Sequence, residues 1–106
     1  MVYTCFTLEV LQSATFVEWF SGLRDRHARA RIDARIARLR RGNHGDAKLL
    51  PGTGGVYELR VDYGPGYRVY FAQRGKTLVI LLCGGDKRTQ DADVKRASEM
   101  VTDWKQ

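Results

Sequence analysis

The chain has 106 residues, 43% hydrophobic and 28% charged, which suits one small globular domain spanning 1–106 and argues against disorder. The formal net charge of +6 favours a polyanionic partner: nucleic acid, an anionic membrane surface or an acidic protein. No apolar run approaches the length of a membrane span, and the start lacks a basic segment followed by an apolar one, so a cytoplasmic location is expected.

In chain order, Tyr3 to Val10 (YTCFTLEV) predicts a strand. Ser13 or Thr15 can cap a helix starting near Ala14, with Phe16, Trp19, Phe20 and Leu23 on its apolar face and Gly22 near its end. A second helix is predicted over Asp25–Arg41. Ala28, Ile32, Ile36 and Leu39 mark its buried stripe, and Gly42 stops it. The two helices are expected to form an antiparallel hairpin on one sheet face. Arg26, Arg29, Arg31, Arg35, Arg38, Arg40 and Arg41 cover much of the second helix, so it offers either a phosphate- or acid-binding face or a solvated one.

Residues 42–55 read as loop, with Lys48-Leu49-Leu50 a short extended piece. Three strand-like runs follow, Val56–Asp62, Tyr67–Gln73 and Thr77–Cys83, linked by turns short enough for hairpins. The third is almost wholly apolar, as in a central strand. Gly84 to Arg88 is read as the end of the sheet. Thr89 can cap a last helix with Val94, Ala97, Val101 and Trp104 inward. The expected architecture is α+β, ordered β-α-α-β-β-β-α. Its sheet is antiparallel, with one face on helices and the other free for work.

Alternation along the strands puts Arg60 and Arg68 on one face, with Glu58 and Asp62 beside them and Lys87 just past the third strand. Two arginine forks there can grip one phosphate, or can simply make solvated ion pairs. Tyr67, Tyr70 and Phe71 interleave with this charge, as stacking surfaces or as core. His44 sits in the loop and His27 in the basic helix. Of the two, His44 is the better candidate for proton transfer. Cys5 and Cys83 stand apart in apolar runs and read as buried thiols. No cofactor or metal motif is present, nor a P-loop or hydrolase triad.

The runs GVYELRVDYGPGYRVYF (Gly55–Phe71) and LLCGGDKRTQDADVKRA (Leu81–Ala97), together with FVEWFSGL and the basic second helix, resemble the RelE/HigB superfamily of type II toxin–antitoxin toxins, in the branch called addiction module killer proteins. The resemblance implies a microbial-ribonuclease-like fold and an mRNA endoribonuclease, ribosome-dependent and working in the A site. A ribose 2′-hydroxyl would attack the adjacent phosphate and leave a 2′,3′-cyclic phosphate. It also implies a small helix-turn-helix antitoxin partner, with which the toxin forms an oligomer.

By position, Arg68 matches the arginine of the family's tyrosine–arginine strand motif and would stabilise phosphate charge. Arg60 and Lys87 fall where the family places further cations. Lys48, Tyr70, Glu58 and His44 are candidates for substrate contact. Glu58 replaces a cation of relatives, as a base or as a salt-bridge partner. The C-terminal tyrosine or histidine of some relatives has no match, which leaves the general base and acid unassigned. Two rival functions are a gyrase inhibitor of the ParE kind and an inactive nucleic-acid- or antitoxin-binding module. Arg68→Ala is expected to abolish toxicity and leave the fold intact.

Overall fold

A computed structural model describes residues 8–104. The strand expected over Tyr3–Val10 lies mostly outside these residues, as does Cys5. The described part is β1 (Glu9–Gln12), which ends at Ser13. The Ser13 hydroxyl accepts from the Phe16 amide and so caps α1 (Ala14–Ser21). The same hydroxyl donates to the Leu82 carbonyl at 2.6 Å, which ties the helix start to the sheet. Asp25 caps α2 (Arg26–Arg40) by accepting from the His27 and Ala28 amides. The Ala28 bond leads in holding the Asp25 carboxyl below its ordinary range. Gly42 follows α2 with φ +88°, the left-handed conformation that glycine adopts without cost.

The sheet order is β1-β5-β4-β3-β2, with β2 Lys48–Leu49, β3 Tyr57–Val61, β4 Tyr67–Arg74 and β5 Leu78–Asp86. The hairpin strands are antiparallel as expected, but β1 lies parallel to β5. Tight turns fix only the strands they join. β1 is joined to nothing by a hairpin, so it pairs along the outer edge of β5, matching Glu9 with Leu78 through Gln12 with Leu81. The inner position of β5 explains its apolar run.

Two further expectations change. β5 does not end at Cys83 but continues through Gly84, Gly85 and Asp86. The glycines belong to the sheet because nothing larger fits there. A Cβ at Gly84 would lie 2.3 Å from Trp19 of α1, and one at Gly85 would lie 1.9 Å from Asp93 of α3 (Gln90–Trp104). Thr89 does not stand alone as a cap either. A 3-10 turn, Lys87–Thr89, precedes α3, and Asp86 caps it in a reciprocal pair with Thr89.

The second sheet face is also not wholly free. α1 and α2 cover one face over a core including Phe16, Ile32, Leu39, Leu59, Val69, Phe71 and Leu81. α3 covers part of the other, burying Val56, Tyr70, Ala72, Leu82 and Cys83 against Ala97 and Val101. Leu82 is an extra residue in β5. The register passes from Phe71↔Leu81 to Tyr70↔Cys83, a bulge. The start of α3 reaches over Gly85 and Glu58, and what it leaves uncovered is the β2–β3 side of the face, where Lys48 and Arg60 are exposed. Among the described residues, no helix is long and apolar enough to cross a membrane.

Candidate active site

Arg60 of β3 and Arg68 of β4 are direct cross-strand partners, and Arg68 is in turn opposite Gly85 of β5. Cross-strand partners point to the same face, so the two guanidinium groups rise side by side. The next row back is Lys48, Glu58, Tyr70 and Cys83. The sheet thus brings Arg60, Arg68, Lys48 and Glu58 together.

Glu58 organises the pair. Its side chain is only 2% exposed, and one oxygen accepts from Arg68 Nη1 at 3.0 Å and from Arg60 Nε at 3.4 Å. The other accepts from Gln90 Nε2 at 2.9 Å. A buried carboxylate needs such partners, and here they come from two strands and a helix. Glu58 is therefore an enclosed counter-ion, not an open substrate contact. The exposures of the two arginines differ: 11% for the Arg68 side chain and 45% for that of Arg60. Arg68 is a fixed cation in the wall and Arg60 a reaching one at the rim. The Nε of Arg68 is buried and has no hydrogen-bond partner among the described residues, a donor in want of an acceptor.

Lys87 is exposed and begins the 3-10 turn immediately after Asp86, which pairs with Tyr67. A Cβ at Gly66 would lie 3.9 Å from the Lys87 Cβ, so the β3–β4 turn and Lys87 pack against each other. This sets Lys87 at the same end of the sheet as the arginines. Asp86 spends its charge on Arg88, through a 3.0 Å bond that leads in keeping its carboxyl below the ordinary range.

Two expected contacts are not part of this surface. Tyr70 is fully buried beneath α3, and its hydroxyl has no partner among the described residues. Burial, helped by the Glu58 charge, pushes that hydroxyl well above its ordinary value, which unsuits it to proton transfer near neutrality. Phe71 is likewise core, and Tyr67 packs edge-on against Trp19. His44 lies on the opposite face, stacked near Phe71 with Nε2 3.0 Å from Gln73 Oε1. Alternation along β4 separates it from Arg68 by the thickness of the sheet.

Two residues not singled out from the sequence matter here. Gln90 holds Glu58, and Arg35 of α2 donates from Nη1 to the Arg60 carbonyl at 2.7 Å. Gln90 lies in the run Leu81–Ala97 and Arg35 in the basic helix, but neither was given these contacts. Both act because of where a helix docks, and no local pattern encodes that. A cleft of about 520 Å³ between α1 and α3 carries Glu18, Asp86 and Asp93 against Arg96, a charge that disfavours a phosphate.

The sheet end with its cationic row offers phosphate charge stabilisation. Similarity to known proteins agrees with the architecture. The fold resembles that of a double mutant of the Escherichia coli toxin RelE in the free state, with a TM-score of 0.71 at 14% identity over 89% of this chain and 96% of that one. An uncharacterised protein of Haemophilus influenzae is 50% identical over 91 residues, 86% of this chain and 90% of its own length. The model of the family described as "Phage derived protein Gp49-like (DUF891)" matches residues 18–101, from α1 through nearly all of α3. The RelE-type fold expected from the sequence is thus present, and the chain belongs to the phage-derived Gp49-like family.

Proposed function

We propose that the protein is the toxin of a type II toxin–antitoxin pair and acts as an RNA endonuclease at the Arg60–Arg68–Lys87 end of its sheet. One observation carries this reading. Arg68, held by buried Glu58, stands as a fixed cation beside the more exposed Arg60. Such a pair fits the two non-bridging oxygens of a phosphodiester. As the neighbouring 2′-hydroxyl attacks phosphorus, charge builds on those oxygens. Fixed guanidinium donors then bind the transition state more tightly than the ground state. Lys87, at the same end of the sheet, is assigned to the phosphate or the departing 5′-oxygen in this reading. The RelE-type fold and the basic surface support an mRNA substrate in the ribosomal A site, and a helix-turn-helix antitoxin as the inhibitor.

The test is 5′-end mapping of mRNA after induction, with 2′,3′-cyclic phosphates assayed on the upstream fragments. Discrete new ends are expected. They should vanish in Arg60→Ala/Lys87→Ala, whose side chains are open enough to leave the fold unharmed. DNA damage without new RNA ends would instead assign the gyrase-poison role, and growth without arrest would assign an inactive binding module.

A further inference from the structure

The arginines of α2 do not form one patch. At 100° per residue the buried stripe Ala28–Ile32–Ile36–Leu39 divides them. Arg29 and Arg40 flank it on one side. Arg31, Arg35 and Arg38 flank it on the other, facing β3. There they line a cleft of about 290 Å³ with Ala34, Val61 and Asp62.

This cleft is organised in advance. Arg35 is held by Asp46 and by the Arg60 carbonyl, and its guanidinium leads in holding the Asp46 carboxyl below the ordinary range. The Arg31 guanidinium lies 4.8 Å from the Tyr63 ring centre. Arg38 is exposed and makes no ion pair or side-chain hydrogen bond among the described residues. The position of the cleft matters as much. β2 pairs only with Tyr57 and Glu58, so from Leu59 to Val61 the β3 edge has no strand beside it. Arg60 straddles that edge, with its side chain in the candidate active site and its carbonyl on Arg35.

We infer that the Arg31–Arg35–Arg38 cleft is a second binding site, for the phosphate backbone of the RNA strand that continues past the scissile bond over the β3 edge. It rests on the RNA-cleaving reading for the identity of that polyanion. Along α2 these arginines rise by about 6 and 10 Å from the first, which suits successive phosphates of an extended strand. An acidic protein segment is the poorer occupant. Protein interfaces have an apolar centre, and only Ala34 and Val61 supply apolar lining here. Nucleic-acid interfaces are polar and strongly cationic. The local acids are accounted for: Asp46 is spent on Arg35, while Asp62 stays exposed at the margin.

The test is fluorescence anisotropy of the full chain with a 14-nucleotide single-stranded RNA, 2′-O-methylated throughout so that 2′-hydroxyl attack cannot cut it. Arg31→Gln/Arg38→Gln should weaken binding by roughly tenfold and flatten the log K against log salt slope by about 1.4, the value for two lost contacts to a single strand. Arg29→Gln/Arg40→Gln, equal in charge but across the buried stripe, should keep the original slope. Arg31→Lys/Arg38→Lys should keep it too. If the glutamine pair does not fold, Arg38→Gln alone, at an exposed side chain with no ion pair among the described residues, should flatten the slope by about 0.7, and an unchanged slope there overturns the proposal. An unchanged slope in Arg31→Gln/Arg38→Gln, an equal loss in both glutamine variants, or no binding by the parent protein would each overturn the proposal. Failure to find cleaved mRNA in cells tells against the nuclease reading and leaves the slopes to decide the cleft.

Discussion

Replacing Arg68 tests the site and corrects an expectation. From the sequence, Arg68→Ala should spare the fold, because an exposed strand arginine contributes little. In the structure Arg68 is 11% exposed and is the closer arginine of buried Glu58. Its loss leaves Glu58 with Gln90 and the longer, more solvated contact to Arg60. Stranding one partner of a buried pair costs about 3–5 kcal/mol. The residual partners bring the figure here to about 3 kcal/mol. With a urea dependence of about 1.5 kcal/mol per molar, the unfolding midpoint should fall by about 2 M. Arg68→Ala therefore confounds function with folding. Arg68→Lys keeps the cation against Glu58 but lacks the planar fork. It should unfold within about 1 kcal/mol of the parent and cleave about 10²- to 10³-fold more slowly. A cycle of Glu58→Gln, Arg68→Met and the double variant should give a coupling above about 1.5 kcal/mol. A coupling below about 0.5 kcal/mol, or an Arg68→Lys protein of full activity, would refute this account of the network.

Burial pushes the Cys83 thiol up to about 12, so in a Cys5→Ser background it should resist a thiol reagent at pH 8 and react fully only in denaturant. Ser13→Ala removes both the α1 cap and the tie to the Leu82 carbonyl, and should cost about 1–2 kcal/mol in urea unfolding. Gly84→Ala should destabilise more than that, since the Trp19 ring must leave its seat. Quenching and shift of the tryptophan fluorescence would report the move. Asp46 and Asp86 both titrate below their ordinary value of 3.8 in the folded chain. Their contribution is present above that value and is lost as pH falls through the lower folded values. Asp46→Asn should therefore lessen the loss of stability between pH 5 and pH 2, modestly, because the pair is partly solvated.

The helices were readable because each carries its own signals. Asp25 and Ser13 cap, Gly42 terminates, and the stripe from Ala28 to Leu39 is periodic. The Arg60–Arg68 pairing was readable because a short turn fixes register. The parallel seat of β1, the docking of α3 over Tyr70 and the reach of Gln90 to Glu58 were not. Each depends on contacts between distant segments that leave no local pattern. Glu58 illustrates the limit. Alternation set it on the correct face, yet whether that face was wet or enclosed depended on α3.

Leu82, the surplus residue in β5, is absorbed by the bulge, so the strand keeps one phase against β4 on both sides of it. Upstream, Val79 and Leu81 point under α1 and α2. One residue later than strict alternation allows, Gly84 turns to Trp19 and Gly85 to Asp93. Deleting Leu82 would close the bulge and run Leu81 and Cys83 opposite Phe71 and Tyr70 without a break, so Gly84 and Gly85 should keep their seats on Trp19 and Asp93. The cost of that deletion should therefore be the lost burial of one leucine against α3, while enlarging Gly84 or Gly85 strikes the helices directly.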